Sequence, residues 1–136
     1  MFDKPFDVKI VSPRGVIFSD TALSVSAPGV EGGFQVLYSH APLVSALEVG
    51  QVKVMTREGH DLLFATSGGV LEVRDNAVVL LVESAERSSD IDVSRAREAK
   101  ERAERRLSER DPEIDLERAK FALRRALNRL RIAENA

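Results

Sequence analysis

The run Val78-Val79-Leu80-Leu81-Val82-Glu83-Ser84-Ala85-Glu86-Arg87-Ser88-Ser89-Asp90-Ile91-Asp92-Val93-Ser94-Arg95-Ala96 decides the fold, because within it a strand-like apolar stretch gives way to helical spacing. Beyond Ser84, Ala96, Ala99, Ala103 and Leu107 fall on one stripe of a first helix. Leu116, Ala119, Leu123, Ala126, Leu127, Leu130 and Ala133 do the same on a second. Between them, Asp111-Pro112-Glu113 reads as an N-cap, a proline at the first helical position and acid in the first turn. The expected unit is an antiparallel helical hairpin. Its stripes are thin and alanine-rich, so its docking is expected to be weak enough for it to move.

Upstream of Ser84 the period is two. Phe6, Val8 and Ile10 alternate with Asp7 and Lys9; Leu23, Val25 and Ala27 alternate with serines; Val52 and Val54 alternate with Gln51 and Lys53. Turn residues at Ser12-Pro13-Arg14-Gly15, Pro28-Gly29, Gly32-Gly33, Glu58-Gly59 and Asp75-Asn76 divide these runs too closely for βαβ units. A β-sandwich or flattened barrel follows. Leu62-Leu63-Phe64-Ala65 and Val78 to Val82 lack clean alternation and read as strands covered on both sides. The predicted class is therefore α+β: an N-terminal antiparallel β-sandwich over 1–85, then a C-terminal antiparallel two-helix hairpin over 86–136.

Composition marks the same boundary. All eight glycines and four of the five prolines precede Val70, whereas 26 of the 51 residues from Glu86 onward are charged. The two parts carry net charges of −4 and +2, and the second mixes both signs. That is the pattern of exposed, ion-paired helices and not of a nucleic-acid surface. A chain of 136 residues leaves no room for a large enzyme, and the absence of cysteine excludes disulfides, thiol nucleophiles and thiolate metal sites. His40 and His60 are too few for an imidazole zinc site, so no metal is predicted. The longest apolar run, Ala77 to Val82, is far short of the roughly 20 residues of a membrane helix, so no direct membrane insertion is expected. Met1-Phe2-Asp3-Lys4 does not resemble a basic-then-apolar leader, and the chain is expected to stay on the side where it is made.

No catalytic residues are predicted. Ser39-His40 lacks a third group, and adjacent residues on an extended segment point opposite ways. Gly29-Val30-Glu31-Gly32-Gly33 and Gly68-Gly69 neither precede a Lys-Ser/Thr pair nor open a helix, and read as turns. The helical half is more informative. Ile91-Asp92-Val93-Ser94-Arg95-Ala96 recurs as Ile114-Asp115-Leu116-Glu117-Arg118-Ala119, each copy at a helix start, where an aspartate offsets the dipole. Folding back at Asp111 brings Arg125 and Arg129 toward Arg95, with Arg102 two turns along. Such a cluster needs carboxylates, for example Glu86, Asp92 or Glu98, or a polyanion; both readings stay open.

Three stretches resemble the epsilon subunit of the bacterial F-type (rotary) ATP synthase: Gly33-Phe34-Gln35-Val36-Leu37-Tyr38-Ser39-His40-Ala41-Pro42-Leu43, Ser67-Gly68-Gly69-Val70-Leu71-Glu72-Val73, and Ala85 through Ala96. The likeness covers essentially the full length, with a departure at Tyr38-Ser39, where many members have Pro-Gly. It implies a non-catalytic rotor subunit of a proton-translocating ATP synthase, peripheral on the cytoplasmic face of the plasma membrane. Its sandwich would dock on the gamma subunit and the c-ring. Its hairpin would alternate between a folded form and an extended form, about 60 Å long if both helices open end to end. The extended form would meet alpha and beta subunits and inhibit ATP hydrolysis, with Arg118, Arg124, Arg125 and Arg129 as candidates for acidic surfaces of beta.

Some members of that family bind ATP in the folded hairpin through Ile or Leu, Asp, two variable residues, Arg and Ala. Here the matching residues are Ile91, Asp92, Arg95 and Ala96, with Glu86, Arg102, Arg125 and Arg129 carried over from neighbouring positions. The resemblance implies arginines on the phosphates, Ala96 leaving room, and Asp92 and Glu86 presenting acceptors to the adenine amino group. ATP would then act as a regulatory ligand that stabilises the folded hairpin. The alternative is a purely structural rotor adaptor with no nucleotide site. The second copy, Ile114 to Ala119, reads as a helix start alone.

Overall fold

The computed structural model describes residues 4–109 and 111–135, so the expectation drawn from Met1-Phe2-Asp3 lies outside the described residues. Strands β1 (Phe6–Ser12), β2 (Gly15–Gly29), β3 (Gly32–Val36), β4 (Leu43–Thr56), β5 (Asp61–Arg74), β6 (Ala77–Val82) and β7 (Ala85–Arg87) precede a 3-10 turn at Ser88–Asp90. Helices α1 (Val93–Ser108) and α2 (Leu116–Glu134) follow. The α+β order, strands first and hairpin second, is as the periodicity predicts.

Strands β1, β6, β5, β4 and β2 pair in a closed ring, with β3 added on β2 and β7 on β5. The pairs are antiparallel except β1 with β6, which run parallel. That departs from a purely antiparallel sandwich for a geometric reason: a ring with an odd number of strands cannot alternate direction all the way round. Phe6, Val8, Ile10, Val52 and Val54 face inward as their period requires, around Phe64, Leu71 and Leu80. Removing these side chains from water supplies the main driving force for the sandwich.

Three details differ from the alternation. A register irregularity between Ala22 and Ser24 buries Ala22 and Ser24 and leaves Leu23 half-buried. The Ser24 hydroxyl has no hydrogen-bond partner among the described residues. Ser24→Ala is therefore expected to leave stability unchanged or raise it by up to about 1 kcal/mol in denaturant unfolding, since a buried orphan hydroxyl only costs desolvation; a clear loss would contradict this. Val78 to Val82 is covered on one face only, with Leu81 56% exposed. Gly68-Gly69 is not a turn but lies inside β5, where the partner of β5 changes from β7 to β6. At Gly69, φ is +148° and a Cβ would overlap the Leu81 carbonyl oxygen, so only glycine fits.

The second helix starts later than Asp111-Pro112-Glu113 suggests. Asp111 Oδ1 accepts from the Glu113 amide at 2.9 Å in a separate turn, and the cap of α2 is Asp115, which accepts from the Arg118 amide at 3.1 Å. Asp92 caps α1 in the same way, accepting from the Arg95 amide at 3.1 Å. Ala96, Ala103, Ala119 and Ala126 are buried, whereas Leu116 and Leu127, both expected on the buried stripe, are exposed. Helix α1 packs on α2, and α2 packs on β4 and β5, so the sandwich holds the first helix chiefly through the second.

Candidate functional site

Among the described residues, the C-terminal turns of α2 carry the polar and apolar contacts that fasten the hairpin to the sandwich. Ile132 is fully buried in a small cluster with Ala65 and Ile91, separate from the main core. One helical turn earlier, the buried Asn128 donates through Nδ2 to the Gly50 carbonyl at 2.9 Å, an oxygen that also accepts from Thr66 Oγ1 at 3.3 Å. Asn128 Oδ1 accepts from Arg131 Nη2 at 2.9 Å, so both ends of its amide are used. Next to it, Arg129 donates through Nε to Glu86 Oε1 and through Nη2 to Glu86 Oε2 at 3.4 Å. Both side chains of this ion pair are about one-third exposed, which keeps its contribution below about 1 kcal/mol. The amide and the isoleucine therefore dominate the docking.

With α2 anchored at one end, a cavity of about 490 Å³ remains between the hairpin and the sandwich. It has three walls. Strand β5 and its neighbours provide Thr66, Ser67, Ser84 and Glu86; α1 provides Arg102 and Arg106; α2 provides Arg125, Asn128 and Arg129, and alanines from both helices fill the rest. Four arginines against one glutamate make the wall strongly cationic. Among the described residues Arg102, Arg106 and Arg125 form no ion pair, and Arg125 instead lies over the Phe121 ring at 5.1 Å. Planar guanidinium forks with no internal carboxylate are suited to phosphate oxygens.

The eight residues singled out from the sequence divide in two. Glu86, Arg102, Arg125 and Arg129 line the cavity. Ile91, Asp92, Arg95 and Ala96 are not among its lining residues. Ile91 belongs to the docking cluster, Asp92 caps α1, Ala96 is fully buried and Arg95 is exposed. Sequence reasoning missed Arg106, the serines of the sandwich wall and Asn128. The spacing of Arg102 and Arg106, one helical turn apart, was the available signal for the first. No cluster of residues able to hold a metal ion occurs among the described residues, and none of their helices is long and apolar enough to cross a membrane.

A second surface lies outside the ring of strands. Ala46, Val70, Leu81, Val11 and Val16 stand in register across β4, β5, β6, β1 and β2. They make an outward apolar row, whereas the next row sets Val44, 69% exposed, in register with Glu72, Val79 and Lys9. Contiguous exposed apolar surface on a small domain is a mark of docking.

Comparison with known proteins extends these observations. Residues 5–88 match the family described as ATP synthase, Delta/Epsilon chain, beta-sandwich domain, and residues 89–134 its long alpha-helix domain. The ATP synthase epsilon chain of Salinibacter ruber is 54% identical over 134 residues, covering 93% of this chain and 90% of that one. The epsilon chain of Nitratidesulfovibrio vulgaris is 46% identical over 134 residues, covering 98% and 99%. Among solved structures, a chain of the Euglena gracilis mitochondrial ATP synthase, OSCP/F1/c-ring, superimposes with a TM-score of 0.77 at 21% identity, covering 88% of this chain and 76% of that one. A chain of the Tetrahymena thermophila mitochondrial ATP synthase central stalk/c-ring gives a TM-score of 0.56 at 16% identity, covering 95% and 93%. These two likenesses speak to the fold alone.

Proposed function

We propose a regulated rotor function for this chain, which belongs to the ATP synthase delta/epsilon family. It is a non-catalytic central-stalk subunit that couples gamma to the c-ring of a proton-translocating ATP synthase, peripheral on the cytoplasmic face of the plasma membrane. Its hairpin inhibits ATP hydrolysis when extended, and ATP in the cavity favours the folded form. The observation that carries this reading is the three-walled cavity itself, cationic on both helices and closed only while the hairpin lies on the sandwich. A ligand that binds only the closed state stabilises it by RT ln(1 + [L]/Kd), so plentiful ATP holds the arm down.

The remaining parts fit this cycle. The apolar row on β4, β5, β6, β1 and β2 offers gamma a face that needs no ionic partner. Helices of 16 and 19 residues span about 50 Å when opened end to end, at 1.5 Å per residue. Arg118 and Arg124 are exposed in the folded form, whereas Arg125 rests on Phe121 and Arg129 on Glu86; contact of all four with acidic surfaces of beta would require opening.

A specific observation also favours the adaptor reading. Ile91, Asp92 and Ala96 have structural duties, and Asp115 and Ala119 of the second copy have matching ones: cap and buried alanine. Titration calorimetry of the intact chain with ATP separates the two. The regulated reading expects saturable binding, weakened about tenfold or more in Arg125→Ala by loss of a charge-assisted contact. No heat at millimolar ATP would leave the adaptor. Binding unchanged in Arg125→Ala would remove the cavity as its location.

A further inference from the structure

Beside the arginines the cavity carries the hydroxyls of Thr66, Ser67 and Ser84 on the sandwich wall and the Asn128 amide on α2, and two of these four groups are committed elsewhere. Thr66 Oγ1 donates to the Gly50 carbonyl at 3.3 Å, and Asn128 has both ends of its amide engaged. Ser67 and Ser84 differ. Their hydroxyl oxygens lie 2.5 Å apart, so one proton serves the pair and the other is unspent. Ser67 is buried, 7% exposed, whereas Ser84 is exposed and follows the end of β6. Backbone bonds hold it there: the Ser67 amide donates to the Ser84 carbonyl at 3.2 Å, and the Glu83 amide donates to the Gly68 carbonyl at 3.1 Å. The exposed hydroxyl is thus pinned against β5 by a buried one.

We propose that Ser84, positioned by Ser67, donates its free hydroxyl proton to a phosphate oxygen of the anion held by the arginines of the hairpin. Neither hydroxyl has another side-chain partner among the described residues, and either could donate in this bond; in the arrangement proposed, the buried Ser67 donates to Ser84 and the exposed Ser84 proton is left for the ligand. The consequence is mechanical. A ligand held by α1 and α2 alone would close the hairpin on itself; one that also bonds Ser84 fastens the hairpin to the sandwich, which is the step that removes the arm from the catalytic head. The inference deepens the nucleotide reading and rests on it for the identity of the ligand, not for the contact. Nucleotide and free polyphosphate share the chemistry, so both are used as probes.

The test measures binding of ATP and of tripolyphosphate to the intact chain, to Ser84→Ala, to Ser84→Thr and to the double variant Ser67→Ala/Ser84→Ala, which leaves no orphaned hydroxyl behind. Ser84→Ala and the double variant should bind both probes about tenfold more weakly, and Ser84→Thr should recover to within about threefold of the parent. Hydrogen exchange supplies the second readout: ligand should slow the amides of Ser67 and Ser84 as well as those of the helices in the parent, and only those of the helices in Ser84→Ala. Parent-like ATP binding by both alanine variants would overturn the inference while leaving the nucleotide reading intact. Loss of tripolyphosphate affinity in Ser84→Ala, with no ATP binding by the parent, would overturn the nucleotide reading and support the contact. Binding of neither probe by the parent would overturn both.

Discussion

Asn128→Asp is expected to release the hairpin while the sandwich stays folded. The substitution barely changes side-chain size, but it exchanges the donor that meets the Gly50 carbonyl for an acceptor, at a position 5% exposed. Arg131 would still face the new carboxylate on one side, so the cost sits near the lower end of the roughly 3–5 kcal/mol seen when a buried charged group loses its partner. That shifts the closed-to-open ratio by about a hundredfold. In the open form the carboxylate is hydrated, and nothing opposes the change. Undocked helices of 16 and 19 residues are marginal in water, so hydrogen exchange along α1 and α2 should accelerate by a similar factor while the amides of Val52 and Val54 keep parental protection. Helices as protected as in the parent would show that the amide is dispensable. Glu86→Gln offers the contrast: its ion pair, about one-third exposed, is worth little, and a change well under tenfold is expected.

Ending the chain after Ser88 should raise ATP hydrolysis by the reassembled complex about fivefold or more without uncoupling rotation, the lower end of what a typical two-state coupling supplies. This end point keeps β7 paired with β5, and the residues of the main buried core all lie before it. The sandwich should therefore still dock while the proposed inhibitory arm is gone. Hydrolysis by complexes reassembled with the shortened chain and with the intact chain checks the arm, and ATP-driven proton pumping checks coupling. Unchanged hydrolysis would reduce the hairpin to a structural appendage.

Where one physical signal dominated, the sequence was readable. Period two found the inward faces of β1 and β4 because each has one wet side, and the change to helical spacing announced a hairpin, although β7 and a 3-10 turn still follow Ser84 and α1 begins only at Val93. The parallel β1–β6 pair was hidden because pairing between distant strands leaves no mark in either strand alone. The start of α2 was misplaced because Asp111-Pro112-Glu113 and Ile114-Asp115 both present capping chemistry, and only the second leads into the helix. Within the site, Arg102, Arg125 and Arg129 followed from spacing while Arg95 was expected there and Arg106 was missed, whereas Ser67 and Ser84 reach the cavity through sheet pairing that no local pattern encodes. Asn128 looked like one more polar residue on a charged helix. Its partner is a backbone carbonyl 78 positions away.

The proposed switch is a hairpin that rests on the sandwich by the Asn128 amide and is held there by an anion. A distance measurement between spin labels at Ser19→Cys on β2 and Ser108→Cys at the end of α1 tests this directly, since the chain has no cysteine of its own and both positions are exposed. With ATP present, one narrow, short distance is expected in the intact chain. In Asn128→Asp without ATP, a population longer by about 20 Å or more should appear, set by the length of the released helices, and ATP should draw it back toward the short distance. One unvarying short distance in parent and variant alike, with and without ATP, would contradict the account.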